Sequence, residues 1–233
     1  MASPARLVLL VEGQGDRDAV PVLVKKLLTD LSAWQHLFLD PNPMVVGNIA
    51  DLTCNEGRDW VRYLRIARAR QNLGAVLVVQ DGDIESIRKE RFCSFRFAAR
   101  LAQWSRDAGG GVQFSVASVF ACSEFESWML ACADRLAGVQ LPDGRAGIRL
   151  GTMPPDGNLE TTPRDAKGWL NKRIDGGYKS TRDQQAFTTI MIDHLDAVRS
   201  RNLRGFSRLE SAVSQIVEAI RNGRHIATPE TQP

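Results

Sequence analysis

Six carboxylates in this chain follow directly on apolar runs. Glu12 comes after RLVLLV at residues 6–11, with Asp16 four positions on; Asp81 and Asp83 follow AVLVVQ at residues 75–80; Glu124 and Glu126 follow the run that ends at Phe120. Carboxylates gathered in one place repel one another unless a cation neutralises them, and an all-oxygen donor set favours a hard ion, Mg2+ or Mn2+. Such an ion lowers the pKa of a bound water and stabilises the attacking and leaving oxygens of a phosphodiester, and a nearby lysine or arginine can offset the charge that develops. A plainer role competes with this one. An acid behind a strand often caps the next helix, an alternative open to Asp16, Glu124 and Glu126, and DGD is a common turn.

The elements that would carry these acids can be read from the hydrophobic pattern. The runs at residues 6–11, 75–80 and 112–120 are too short for helices and read as buried strands of a parallel sheet, with a shorter strand at residues 44–46. Asp16 opens a helix in which Val20, Leu23, Val24, Leu27, Leu28 and Leu31 recur at spacings of three and four, and Pro21 lies near its first turns. Further helices are expected over 58–71 and 87–107, and after Ser123, with Glu126 placed for a capping box. Residues 138–163 change to Pro, Gly, Asp and Thr without periodicity, and helical patterns resume over 163–173, 183–199 and 206–221. The chain therefore divides into an α/β domain (1–137), a loop or linker (138–162), a helical C-terminal region packing on that domain (163–222) and a flexible tail (223–233). Open α/β sheets bind ligands at the carboxyl ends of their strands, so all six acids are expected on one rim. Asp81 and Asp83, two apart, should point the same way, with Gly82 leaving room for a backbone to approach.

The 233 residues, 43% hydrophobic and 24% charged, suffice for one sizeable core. The apolar stretches fall well short of the ~18–20 residues of a membrane helix, and the first residues lack a signal-peptide pattern, so a soluble cytoplasmic protein is expected. Cys54, Cys93, Cys122 and Cys132 have neither zinc-site nor disulfide-framework spacing and read as reduced core residues. Of 30 basic residues 24 are arginine, and they concentrate in residues 58–106 and 164–208, as solvated helix faces or as phosphate-binding surfaces. GQGDRD is not GxGxxG and no P-loop is present, which argues against a dinucleotide site or an autonomous NTPase. The histidines, His36, His194 and His225, lie in helical or tail contexts, and Phe92, Phe95, Phe97 and Trp104 read as core in preference to base-stacking residues.

LVEGQGD at residues 10–16 and VVQDGD at 78–83 resemble the glutamate and DxD motifs of Toprim domains, the fold of topoisomerases, DnaG-type primases, small ribonuclease-maturation enzymes and overcoming-lysogenization-defect (OLD) nucleases. Over about residues 5–215 the chain is similar to a Toprim-like bacterial family, domain of unknown function 4276, through SEFESWML at 123–130, GGYKSTRDQ at 176–184 and RNLRGFSRLESAV at 201–213. The resemblance implies a central, mostly parallel sheet flanked by helices with a helical C-terminal extension. It implies Glu12 as general acid/base or second-metal ligand, Asp81 and Asp83 as the Mg2+ ligands, and Asp16 as the second acid of OLD-type nucleases. Glu126, or else Glu124, would be the later acid, and Lys179 or Lys172 the catalytic lysine.

Within residues 164–182, Arg164, Lys167, Arg173 and Arg182 could fold over the rim and grip nucleic-acid phosphates, or form a solvated helix and loop. The activity implied is a Mg2+- or Mn2+-dependent nuclease acting on DNA or RNA. Its relatives imply bacterial anti-phage defence beside a separate ABC- or OLD-type ATPase, as a homo-oligomer or alone, with no membrane partner. The alternatives are a non-catalytic binding or regulatory subunit of an ATPase complex, and metal-dependent phosphotransfer on a small substrate.

Overall fold

The structure, a computed structural model, describes residues 3–87 and 90–229. The first apolar run forms β1 (Ala5–Val11), which turns into α1 (Gln14–Asp30) and returns through β2 (Leu37–Leu39) and β3 (Met44–Val45). The helices α2 (Ile49–Leu52) and α3 (Arg58–Arg68) lead to β4 (Leu73–Asp81). A hairpin of β5 (Ser86–Ile87) and β6 (Glu90–Arg91) precedes α4 (Ser94–Ser105), which crosses to β7 (Ser115–Ala121). Then come α5 (Glu126–Leu130), α6 (Ala133–Leu136), α7 (Ala166–Asn171), α8 (Ser180–Met191), α9 (Leu195–Ser200), α10 (Arg204–Arg221) and β8 (Ala227–Thr228).

The main sheet runs β2-β1-β4-β7-β8, with β3 also pairing with β1, and every pairing in it is parallel. The strands β1, β4 and β7 are buried on both faces, which is why they read as continuous apolar runs. Leu7, Leu9, Val11, Leu77, Val79 and Val119 share one core with α1, α8 and α10, while Val8, Leu10, Val76, Val78, Val116 and Phe120 share a second with α3 and α4. The indole of Trp60 on α3 ties that layer together by donating to the Leu101 carbonyl of α4 at 2.8 Å. This is the α/β architecture expected, a parallel sheet flanked by helices.

Several boundaries differ from the expectation. The long helix over 87–107 is shorter, because Ile87 is buried and the chain doubles back through the hairpin before α4 begins; Arg88 and Lys89 lie outside the described residues. Glu90 folds against α4, pairing with Arg96 at 2.9 Å and Arg100 at 3.0 Å. Ser123 caps no helix: its hydroxyl donates to the Glu160 carbonyl, and α5 starts without a side-chain cap. Residues 138–162 bury Leu141, Ile148 and Leu159 in the same core as the sheet. In the segment expected to be a flexible tail, β8 pairs with β7 and Thr228 is buried; residues 230–233 lie outside the described ones. The four cysteines carry free thiols, yet only Cys132 is fully buried and Cys93 is exposed, so the core reading fits one of the four. Among the described residues no helix is long and apolar enough to cross a membrane.

Candidate active site

Register gathers the acids. Val11 of β1 lies beside Val79 of β4, and Asp81 of β4 lies beside Ala121 of β7, so the three strands end at nearly the same level. Glu12 follows β1 by one residue and its Oε2 accepts from the Asp81 backbone N–H at 3.2 Å. Gly82 donates its N–H to the carbonyls of Ala121 and Ser123, at 2.7 and 2.8 Å, and a side chain there would press on Cys122 and Phe92. The absence of a Cβ at Gly82 is thus used to pin β4 to the end of β7.

Asp16 takes the capping role that was open to it. Its Oδ2 accepts from the Gly13 N–H at 3.0 Å at the start of α1, while its Oδ1 accepts from Gln184 Nε2 on α8 at 2.7 Å. Gly15 makes that contact possible. A Cβ there would collide with Gln184 and lie 2.9 Å from the Ser180 backbone, so α8 can reach α1 only at a glycine.

The centre of the rim is a lysine among acids. Asp165 caps α7, accepting from the Gly168 N–H at 2.6 Å, and so sets Lys167 in the first turn. The Lys167 backbone N–H donates to Glu124 Oε2 at 3.0 Å, and its Nζ lies 2.7 Å from Asp81 Oδ2, 3.2 Å from Glu124 Oε1 and 3.8 Å from Glu126 Oε2. Asp81 Oδ1 accepts from the Phe125 N–H at 2.8 Å, and Glu126 Oε1 accepts from the Tyr178 hydroxyl at 2.8 Å. Glu126 Oε2 is fully buried and accepts no hydrogen bond.

Burial and mutual repulsion raise Glu12, Asp81 and Glu126 even with the ammonium at the rim. Burial first, then the charge of Asp81, push Glu12 up to about 8, with Asp16 and Asp83 adding to the rise. Burial and Asp81 raise Glu126 to about 8 as well, and burial lifts Asp81 to about 7 against the pull of Lys167. Burial works against the charge of Lys167, but Asp81 and Glu126 outweigh it, so the side chain remains an ammonium. Tyr178, raised by burial and by Glu126, stays protonated and acts as a donor.

The expected residues therefore divide. Glu12, Asp81, Glu124 and Glu126 come together, with Asp16 adjoining through α1. The strand ends at Asp81, which is buried, and Asp83 is exposed beyond Gly82, though its charge still acts on Glu12. Lys172 and Lys179 are exposed and, among the described residues, pair with none of the acids, so the lysine of the rim is Lys167, which sequence reasoning had given to phosphate. Arg182 faces inward onto the buried carboxylate of Asp183, 2.7 Å away, which Arg145 also grips. Arg173 lies over the Trp169 ring, 3.8 Å from its centroid, and Arg164 pairs with exposed Glu85 at 3.0 Å. Gln184 was missed as an individual residue, and Tyr178, read with the basic segment 164–182, serves Glu126 and not phosphate; both lie in the GGYKSTRDQ segment.

Among the described residues no three acidic, histidine or cysteine side chains converge closely enough to chelate one ion as they stand. The chemistry of the set nonetheless fits a hard divalent cation: every donor is oxygen, burial and mutual repulsion raise Glu12, Asp81 and Glu126 above the usual carboxylate range as a missing counter-charge would, and the buried Glu126 Oε2 lacks a hydrogen-bond partner.

No family model matches the chain, and no curated protein matches it. Among solved structures, the chain is similar to the C-terminal region of the Burkholderia pseudomallei OLD protein, at 14% identity and a TM-score of 0.41, over 93% of this chain and 98% of that one.

Proposed function

We propose that the rim at the ends of β1, β4 and β7 is the active site of a metal-dependent, Toprim-type nuclease that cleaves phosphodiesters of DNA or RNA. The observation that carries the reading is the buried group of Asp81, Glu124 and Glu126 around Lys167, with Glu12 one hydrogen bond from the Asp81 backbone. Glu12, Asp81, Asp83, Glu124 and Glu126 would hold Mg2+ or Mn2+, with Asp16 beside them. When bound, the ion supplies a water of lowered pKa and neutralises charge on the phosphoryl oxygens.

The chain's own groups have distinct tasks. The Lys167 ammonium binds a non-bridging phosphate oxygen and offsets the charge that builds on it. Burial and Asp81 hold Glu12 near 8 without an ion; its task is either to donate that proton to a leaving oxygen or, deprotonated, to ligate the ion, and not both at once. The Phe125 N–H orients Asp81, and the Tyr178 hydroxyl orients Glu126. The likeness of LVEGQGD and VVQDGD to the Toprim glutamate and DxD motifs supports the same reading, and kinship with domain of unknown function 4276 is part of the proposal. With it go a separate ABC- or OLD-type ATPase partner, anti-phage defence, a cytoplasmic location and the option of a homo-oligomer.

A second reading, a non-catalytic subunit of an ATPase complex, is favoured by the ion pairs with which Lys167 closes the acids. Labelled DNA and RNA incubated with the purified protein, with and without a genomic ATPase neighbour, test both. Cleavage that requires Mn2+ or Mg2+ and is lost in Asp81→Ala supports the nuclease. A rise in Tm with Mn2+ and no cleavage under any condition supports the subunit, and neither effect removes the metal from both readings.

A further inference from the structure

Two clefts lie where β7, the N-terminal end of α10 and the hairpin region meet. The first, of about 560 Å3, is within the range of small-ligand pockets. The second is lined by Gly82 and Ser123, the immediate neighbours of Asp81 and Glu124. Both are lined by Cys122, Glu160 and Thr161, so they adjoin as one groove that reaches Gly82 and Ser123, one residue along the chain from Asp81 and Glu124.

The groove contains polar groups that the protein leaves unanswered. Ser118 on β7 lines the first cleft fully buried, and its Oγ has no hydrogen-bond partner. Arg208 lines the same cleft. Its Nε is buried without a partner, one Nη donates to Thr228 Oγ1 at 3.1 Å, and among the described residues no carboxylate comes within ion-pair distance. Arg204 and, in the second cleft, Arg91 are exposed and likewise unpaired among the described residues. Counting Arg164, the groove is lined by four arginines against two glutamates, Glu85 and Glu160, and Glu160 is engaged by the Gly205 N–H at 2.6 Å. Phe95 stands at the first cleft 59% exposed, where Phe97 on the same helix is fully buried.

A half-buried guanidinium without a counter-charge calls for an anion, an exposed phenyl ring beside it calls for a flat apolar group, and a buried hydroxyl calls for a hydrogen-bonding edge. A nucleotide offers all three. In a duplex the base faces are stacked and the pairing edges used, so only an unpaired strand can present them together.

We propose that this groove binds a single strand of nucleic acid and feeds it to the acid rim, with one unstacked base beside Phe95 and Ser118 and the flanking phosphates on Arg204 and Arg208. The destination of the strand rests on the nuclease reading; its binding does not.

Fluorescence anisotropy on the full chain in EDTA, where no metal-dependent cleavage occurs, tests it with labelled oligothymidine and a hairpin duplex. The single strand should bind at least about tenfold more tightly than the duplex. Phe95→Ala and Arg204→Ala, both at exposed positions, should each weaken it about tenfold with Tm unchanged. Millimolar AMP should fail to displace the strand, since it offers one phosphate and one base. Equal affinity for duplex, unchanged affinity in both variants, or displacement by AMP at the strand's own concentration would each overturn the groove. If the wild type cleaves but these variants bind and cleave as it does, the groove is wrong and the nuclease stands. If nothing is cleaved but strand binding is lost in the variants, the groove stands without the nuclease.

Discussion

The Nζ of Lys167 meets Oδ2 of Asp81 at 2.7 Å across 86 positions of sequence, on the side of Asp81 opposite the Phe125 N–H that holds its other oxygen. The end of β4 is thereby joined to the first turn of α7, and a fixed positive charge lies where three acids would otherwise face only one another.

Removing that charge should unsettle the rim. Lys167→Ala is expected to cost about 2–3 kcal/mol, less than the ~3–5 kcal/mol of a fully buried pair because 38% of the lysine side chain is exposed. At about 2–4 °C per kcal/mol this lowers Tm by several degrees, and Mn2+ should restore more of the loss than it adds to the wild type. Thermal unfolding with and without Mn2+ reads the difference; equal shifts in both proteins would sever the link between Lys167 and the metal.

Asp81→Asn keeps an acceptor for the Phe125 N–H but removes the charge. Cleavage should fall by about a hundredfold or more while the fold is retained, an effect in the range of losing one transition-state stabiliser. Turnover and circular dichroism measured on the same preparation separate loss of chemistry from loss of structure.

Gly15→Ala should force α1 and α8 apart, because the new Cβ would sit 2.9 Å from the Ser180 backbone, which cannot rotate away as a side chain can. Overpacking of this kind costs about 1–3 kcal/mol. The midpoint of urea unfolding should drop accordingly, whereas Gly144→Ala, where nothing lies within 4 Å of the added atom, should lose less, its cost confined to the positive φ.

Asp40 gives a pH dependence away from the rim. Burial pushes its carboxyl up, but Arg6, the Asn42 N–H and Arg70 outweigh burial and hold it below its ordinary value of 3.8. A depressed acid contributes stability above its unfolded pKa and loses it as pH falls through the folded value. Asp40→Asn should therefore be less stable than the wild type at pH 7, and the two should converge as pH falls below the ordinary carboxyl value of 3.8 and on through the lower folded one. Unfolding midpoints across pH 2–7 check it, and a constant gap would show that packing, not charge, is what Asp40 contributes.

Much of the architecture was legible in the chain. β1, β4 and β7 are continuous apolar runs because both sheet faces are covered, and the acids behind them reach one edge because parallel strands share a direction. The lysine was not legible. Lys167, Lys172 and Lys179 are equivalent on local spacing, and only the docking of α7, set by the Asp165 cap and by Glu124 on the Lys167 N–H, selects the first. The β5–β6 hairpin was missed because its stabilising partners, Arg96 and Arg100 for Glu90, lie on the following helix and follow no strand periodicity. Arg182 looked like a phosphate ligand since its buried partner Asp183 is adjacent in sequence, where neighbouring charges usually both face water.

The core that α1 shares with the sheet is completed by α10, nearly two hundred residues downstream; Leu7 and Val217 belong to one apolar cluster. Contacts so far apart in sequence close large loops before they repay them, which slows folding. During translation the β1–β4–β7 layer emerges long before its last cover, so a ribosome-bound intermediate would show one uncovered apolar face and depend on chaperones until α10 arrives.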